Sequence, residues 1–320
     1  MQAKLIFTSL TLISPFFFWG TAMVAMKGII PHTAPLFLAG TRSLPAGILI
    51  LITAAIMGKP QPTGWLAWWW IICFALMDVT LFQSFLAEGL EKTTAGLGSV
   101  MIDSQPLIVA LLCLWLFQEH IGLWGWLGLL LGVLGITLIS LPDEWFFQIF
   151  HDSVLTIGNW QDLFASGEWL MLLAAFSMAI GTVMIRFVSK YADPVTATAW
   201  HMILGGLPLW GASYVTESQQ WENLLGWEWI ALGYATVFGS AIAYGLFFYF
   251  ASKGNLTNLS SLTFLTPVFA LLFGNIFLSE NLSFLQWVGV GLILPSIYLI
   301  NQRHNIARNH EVTVEQPSIL

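Results

Sequence analysis

The sequence predicts an all-α integral membrane protein of ten transmembrane helices, arranged as two inverted five-helix repeats. Three observations lead there. Of 320 residues, 57% are hydrophobic and only 8% charged, whereas soluble proteins carry about 25% charged residues. Ten apolar runs each approach the roughly 20 residues that a helix needs to cross a bilayer. Finally, a set of landmarks recurs at one spacing. Lys92, Pro106, Glu119, Trp126 and Gly128 become, 161 residues later, Lys253, Pro267, Glu280, Trp287 and Gly289. A single offset shared by five landmarks means a duplicated unit.

Taken in order, the first run covers residues 5–26, just after Lys4. It is too long for the apolar part of a signal peptide, no small-x-small cleavage pattern follows, and a second run starts at once, so a retained first span is expected. Runs at 35–57, 65–87, 95–117 and 121–141 complete a first repeat, 1–141. Short connections make consecutive helices antiparallel neighbours. Residues 142–167 hold Asp143, Glu144, Asp152 and Asp162 with no Lys or Arg, and read as an acidic external linker. The second repeat, 168–301, has runs at 168–189, 195–215, 227–251, 257–278 and 284–301. The polar remainder, 302–320, is expected to be a disordered cytoplasmic tail.

Basic residues set the orientation. With the N-terminus inside, the inner side collects Lys4, Lys59, Arg186, Lys190, Lys253, Arg303 and Arg308, against Lys27, Arg42 and Lys92 outside. This bias places both termini in the cytoplasm of a cell whose plasma membrane the chain crosses. Trp65, Trp68, Trp69 and Trp70 stand at a predicted boundary and read as an interface belt. Cys73 and Cys113 both lie in apolar runs, which implies neither a disulfide framework nor a metal site. The net charge of −7 sits largely in loops and tail and points to no nucleic-acid partner.

The starts of the halves also correspond. Gly20-Thr21 matches Gly181-Thr182, and at an offset of 159 Pro35 and Ala46-Gly47 match Pro194 and Gly205-Gly206. Five spans per repeat force the second copy to enter from the opposite side. Inverted repeats of this kind recur in secondary transporters, with the solute site at the repeat interface near mid-membrane.

The segments Phe18-Trp19-Gly20-Thr21, Lys27, Pro35 and Arg42, then Pro106, Glu119 and Trp126-Leu127-Gly128, resemble an EamA domain. The second copy, Tyr249-Phe250, Lys253-Gly254, Pro267-Val268-Phe269, Glu280 and Gln286-Trp287-Val288-Gly289, resembles the second-half signature of the same family. The likeness spans roughly residues 10–300. It implies a drug/metabolite transporter with alternating access, a central cavity lined by helices one to four and six to nine, and helices five and ten at the periphery. It leaves the cargo open among amino acids, drugs, sugars and nucleotide sugars.

Three charges interrupt apolar runs: Arg42 in helix two, Asp78 in helix three and Asp103 in helix four. At 1.5 Å per residue they lie roughly 10–14 Å from the nearer helix end, on about one level. Such groups are costly unless they face a cavity or a partner. One reading is a buried ion pair that fixes helix register. The other has one carboxylate binding a proton or an amine while Arg42 grips a solute carboxylate bidentately. Asp103 stands out because its repeat counterpart is Phe264 and because the family resemblance implies an uncharged residue there. Gln83 and its counterpart Tyr244 are candidate hydrogen-bonding groups for cargo, and His201 is the counterpart of Arg42.

Pro106 and Pro267 are placed inside helices and are hinge candidates. Glu119 and Glu280 are structural landmarks, each suited to capping the helix that follows. Gly122, Gly125, Gly128, Gly132 and Gly135 form a smooth face on helix five, fit for close packing or a homodimer. No nucleotide loop, zinc spacing or Ser/His/Asp arrangement appears in a supporting context, so neither a cofactor nor an enzyme activity is expected. Asp78 and Asp103 lack the Gly-x-Gly-Asp setting of an intramembrane aspartyl protease. The sequence therefore points to a secondary carrier of small organic metabolites, amino acids or related amines first, whose partners are the solute and membrane lipid.

Overall fold

A computed structural model describes residues 2–27, 29–92, 102–119, 121–140, 167–278 and 283–314, and every regular element among them is helical. The first half contains α1 (Gln2–Lys27), α2 (Pro35–Ile56), α3 (residues 65–92), α4 (Gln105–Phe117) and α5 (Leu123–Ser140). The second contains α6 (Gly167–Val188), α7 (Pro194–Thr216), α8 (Gly226–Lys253), α9 (residues 256–278) and α10 (Phe284–Val314). The acidic linker expected at 142–167 lies almost wholly outside the described residues, as does Glu280.

Among the described residues, five helices are long and apolar enough to cross a membrane: Pro35–Ile56, Trp65–Gly89, Trp169–Val188, Gly226–Lys253 and Leu256–Ile276. Shorter apolar helices cover Leu10–Met26, Gln105–Phe117, Leu123–Ile139 and Phe284–Ile300. At 23 residues, α7 has the length, yet it turns Thr196, Thr198, His201 and Ser213 inward. Length and apolarity thus establish fewer spans than the sequence reading expects. The outside is greasy as a lipid-facing surface must be, with Ile56, Trp115, Val215 and Ile230 all 76–82% exposed. Trp65 and Trp69 are also exposed, while Trp70 stacks on Phe187. The last helix continues to Val314, so residues 302–314 form a polar helical extension where the sequence suggests a disordered tail.

Two helix pairs join equivalent positions of the two halves. Helices α2 and α7 pack together, and so do α5 and α10. In the second pair the backbones touch at Gly135 and Gly289, where an added Cβ would come within 2.8 Å and 2.6 Å of the opposing carbonyl. Small residues permit this approach, which in lipid is the main source of helix association. Gly128, Gly132 and Gly135 of the glycine face of helix five are thus used inside the chain, against α10 and the Phe264 ring, while Gly122 has open space beside it.

Both long α3 and long α8 are interrupted by π-helical turns, at Leu76–Leu81 and Ala235–Ile242. The 161-residue offset carries 76–81 onto 237–242, so the irregularities coincide in the repeat frame. A π-turn inserts one residue and turns backbone carbonyls outward, and it occurs often at functional sites. A second pair of breaks precedes the conserved spacing of prolines within the chain. Residues 103–104 form a turn before α4, and α9 passes through a 3-10 turn at Leu262–Phe264.

The loops are tied at both ends. At one end Glu217 accepts hydrogen bonds from the Leu36 and Phe37 amides at 2.7 and 2.9 Å, and His32 meets Glu228 at 2.6 Å. At the other, Lys59 pairs with Asp193 at 3.3 Å, and Asp193 caps α7 through the Val195 amide. There too Glu119 accepts from Thr257 at 3.0 Å and faces Arg186 at 3.6 Å, while Arg186 donates to the Gly254 carbonyl.

Candidate functional site

Where α2, α3, α7 and α8 converge, a small cavity is lined by Arg42, Ser43, Val79, Gln83, Met202, Ser240 and Tyr244, with Ala39 completing the wall. It leaves about 10 Å³ for the centre of a water-sized sphere, which is room for one water molecule. Polar groups gather here because each helix turns one or two of them away from lipid. Gln83 and Tyr244, equivalent positions of the two repeats, both line the cavity, the amide of one on the side of the other's phenol. Arg42 and Asp78 both lie near enough to act electrostatically on that phenol.

The charges do not combine as three groups on one level. Arg42 donates to Ser240 Oγ at a long 3.4 Å, and its Nε is buried with no partner among the described residues. It has no ion pair with a carboxylate among the described residues. Asp78, on the α3 π-turn, instead faces His201 of α7, Oδ2 to Nε2 at 3.2 Å, with both side chains essentially fully buried. The Asp78 Oδ1 has no partner among the described residues. On its other nitrogen His201 bonds the Thr198 carbonyl at 2.6 Å. Its ring stacks on Phe74 at 3.9 Å and meets the edge of Phe248. Gly181 of α6 lies over Asp78 so closely that an added Cβ would collide with the carboxyl group.

The arrangement repeats across the halves. A cation from α2 reaches the α8 π-turn (Arg42 to Ser240), and the equivalent position of α7 reaches the α3 π-turn (His201 to Asp78). Equivalent threonines also behave alike. Thr21 shares a 2.8 Å hydrogen bond with Tyr234, and Thr182 accepts one from Gln105 at 3.2 Å.

Asp103 is half-buried at the turn before α4, lines no part of the cavity, and makes no hydrogen bond or ion pair among the described residues. Pro106 stands in the first turn of α4, where proline replaces no helical hydrogen bond, so it starts a helix there and does not kink one. Pro267 occupies the corresponding place after the 3-10 turn of α9. The Glu119 side chain ties its loop to the start of α9 and the end of α6. Residues that the sequence reading did not single out for the site are Ser43, Ser240, Thr198 and Gly181. The only early sign of any of them was the repeated Gly-Thr of Gly20 and Gly181.

A helical membrane protein of two repeats, with a polar cavity where they meet, has the layout of a transporter. Comparison with known proteins agrees. The model of the EamA-like transporter family matches residues 6–141 and 165–302, and the chain belongs to that family. An uncharacterized transporter of Synechocystis sp. is 64% identical over 301 residues, 93% of this chain and 91% of that one. A WAT1-related chloroplastic protein of Arabidopsis thaliana is 54% identical over 294 residues, covering 91% of this chain and 68% of its own. Protein PecM of Dickeya dadantii is 29% identical over 92% of each chain. A solved crystal structure, at 15% identity, shares the fold with a TM-score of 0.76 over 91% of this chain and 97% of that one.

Proposed function

We propose that the protein is a secondary carrier of small organic metabolites bearing a carboxylate, amino acids or related amines first, working by alternating access. One observation carries this reading: Arg42 holds a guanidinium against the cavity between the repeats with no compensating acid among the described residues. A buried cation without an acid is costly, and a solute carboxylate would supply the missing charge with charge-assisted hydrogen bonds. Gln83, Tyr244, Ser43 and Ser240 would then fix orientation. The cavity as it stands is too small for any such solute, so binding requires α2, α3, α7 and α8 to part on one side and rejoin afterwards. That demand fits repeats of inverted topology.

On this reading the chain crosses the plasma membrane ten times with both termini in the cytoplasm, and Lys92 and Lys253 face opposite sides. Cysteines substituted for Lys92 and Lys253 should react with an impermeant reagent from opposite faces of the membrane; reaction from one face would discard the inverted arrangement. For the activity, an expressing strain is screened for altered sensitivity to toxic amino-acid analogues, amines and sugars. Vesicle counterflow with a mixture of radiolabelled L-amino acids follows. Acceleration by unlabelled amino acids on the far side supports a carrier, because a channel gives none. No exchange of the mixture would remove amino acids from the proposal.

A further inference from the structure

We propose that Asp78 and His201 form a single-proton site that couples proton movement to the Arg42 cavity, making the carrier a proton–carboxylate symporter. The proton site stands on the geometry of the pair alone, and the coupling rests on the carrier reading above.

The Thr198 carbonyl can only accept a hydrogen bond, so His201 Nδ1 at 2.6 Å must carry a hydrogen. The remaining contact joins His201 Nε2 to Asp78 Oδ2 at 3.2 Å. A neutral imidazole with its hydrogen on Nδ1 presents a lone pair there, and an ionised carboxylate presents another. Two acceptors do not attract, so one proton lies between them. It belongs either to an imidazolium beside a carboxylate or to a carboxylic acid beside an imidazole. In both forms the pair holds one proton and carries no net charge.

Among the described residues, nothing nearby can take that proton's place. Both side chains are sealed from solvent, at 0% and 1% exposure. The aromatic rings of Phe74 and Phe248 hold the imidazole on its face and edge. From α6 the pair sees Gly181, and the next residue, Thr182, bonds Gln105 of α4. Among the described residues, the titratable or charged groups that face it are Tyr244 from α8 and, through Tyr244, Arg42 from α2.

Losing the proton leaves one negative charge in an apolar site, with a lone pair turned against it and Oδ1 already unpartnered. The cation that shares the Tyr244 neighbourhood is Arg42, which is free of any carboxylate among the described residues. Deprotonated Asp78 therefore competes with the solute's carboxylate for Arg42, and proton binding releases Arg42 to the solute. Val79 beside Asp78 and Met202 beside His201 line the cavity itself, so any shift of the pair is felt at its wall. Proton and solute anion bind together and leave together, and the steeper gradient sets the direction.

Infrared pH-difference spectra of the full chain in liposomes read the pair without any solute. A protonation signal of carboxyl or imidazolium character is expected, lost in Asp78→Asn and altered in His201→Gln. The asparagine amide can still donate to Nε2, so the contact is kept while the titration goes. Spectra of both variants that superimpose on the wild type would overturn the proton site. Coupling is then read with the radiolabelled amino-acid mixture as the ratio of pH-gradient-driven accumulation to counterflow in the same vesicles. Both variants should lower this ratio by roughly 5- to 150-fold, the usual span of coupling between sites. An unchanged ratio overturns the coupling. Absence of any counterflow in the wild type strikes the cargo assignment instead, and the spectra still decide the proton site.

Discussion

The two repeats share their backbone irregularities and differ in what they place there. Each has a π-turn in its third helix, at Leu76–Leu81 and Ala235–Ile242, and each has a break just before the proline of its fourth. In the first repeat the two sites hold Asp78 and Asp103. Their counterparts in the second are Gly239 and Phe264. Gly239 lies against Ala22, where an added Cβ would come within 2.5 Å of the alanine methyl, and Phe264 is fully buried in an apolar cluster with Ala110, Leu129 and Ile293. Duplication preserved the shape that bends both helix pairs around a centre. Charge stayed on one side only. A symmetric scaffold with an asymmetric lining can reverse its opening while offering the solute one fixed set of partners.

The comparison can be broken first at the cations that the equivalent helices α2 and α7 contribute. Among the described residues Arg42 has no acid to neutralise it, whereas His201 has Asp78. Arg42→Gln should therefore cut counterflow by about 10- to 100-fold, as expected for losing a hydrogen bond to a charged group. Arg42→Lys keeps the charge but not the fork, and should recover only part of it. Counterflow unaffected by Arg42→Gln would end the carboxylate reading.

Next comes the crossing over each π-turn. Gly181→Ala pushes a methyl into Asp78 and should destabilise the fold by about 1–3 kcal/mol, seen as a lower melting temperature in detergent. Adding Asp78→Gly, which copies Gly239 of the other repeat, should restore the melting temperature without restoring gradient-driven accumulation. If the double variant melts as low as Gly181→Ala, the contact with Asp78 is not the source of the strain.

A smaller effect is expected at the helix starts. Helix α7 is capped by its own Asp193, while α2 is capped from across the interface by Glu217. Asp193→Ala should cost about 1 kcal/mol, the usual loss for a capping side chain. Glu217→Ala, which also unties the α7–α8 loop from α2, should cost at least as much. The smallest effect belongs to Glu119 and Arg186 at 3.6 Å. A double-mutant cycle on this partly exposed pair should give a coupling of about 0.2–1 kcal/mol.

Much of this was legible in the sequence because it is local or periodic. Apolar runs of the right length, a composition starved of charge and landmarks 161 residues apart need no three-dimensional information. The same frame exposed Asp103 against Phe264 as unequal. It failed on partnership. Depth along a helix put Arg42, Asp78 and Asp103 on one level, but level says nothing about the direction in which a side chain points. The π-turn at Leu76–Leu81 alters that direction by one inserted residue, and no local pattern in Leu-Met-Asp-Val-Thr-Leu announces it.

The sequence by itself determined that the chain belongs in a membrane, that it is a duplicated helical unit of a transporter family, and that the two acids interrupting its apolar runs, Asp78 and Asp103, sit in one copy. Tertiary structure alone decided that Asp78 answers to His201 and not to Arg42, that Gln83 and its own counterpart Tyr244 line one cavity, and that Asp103 stays out of it. The physical reason is separation along the chain. These contacts join residues more than a hundred positions apart, and they exist only once helices of one repeat pack between those of the other. Close approach at small residues such as Gly181 then fixes which polar side chains share a face and which are left to find a partner from outside.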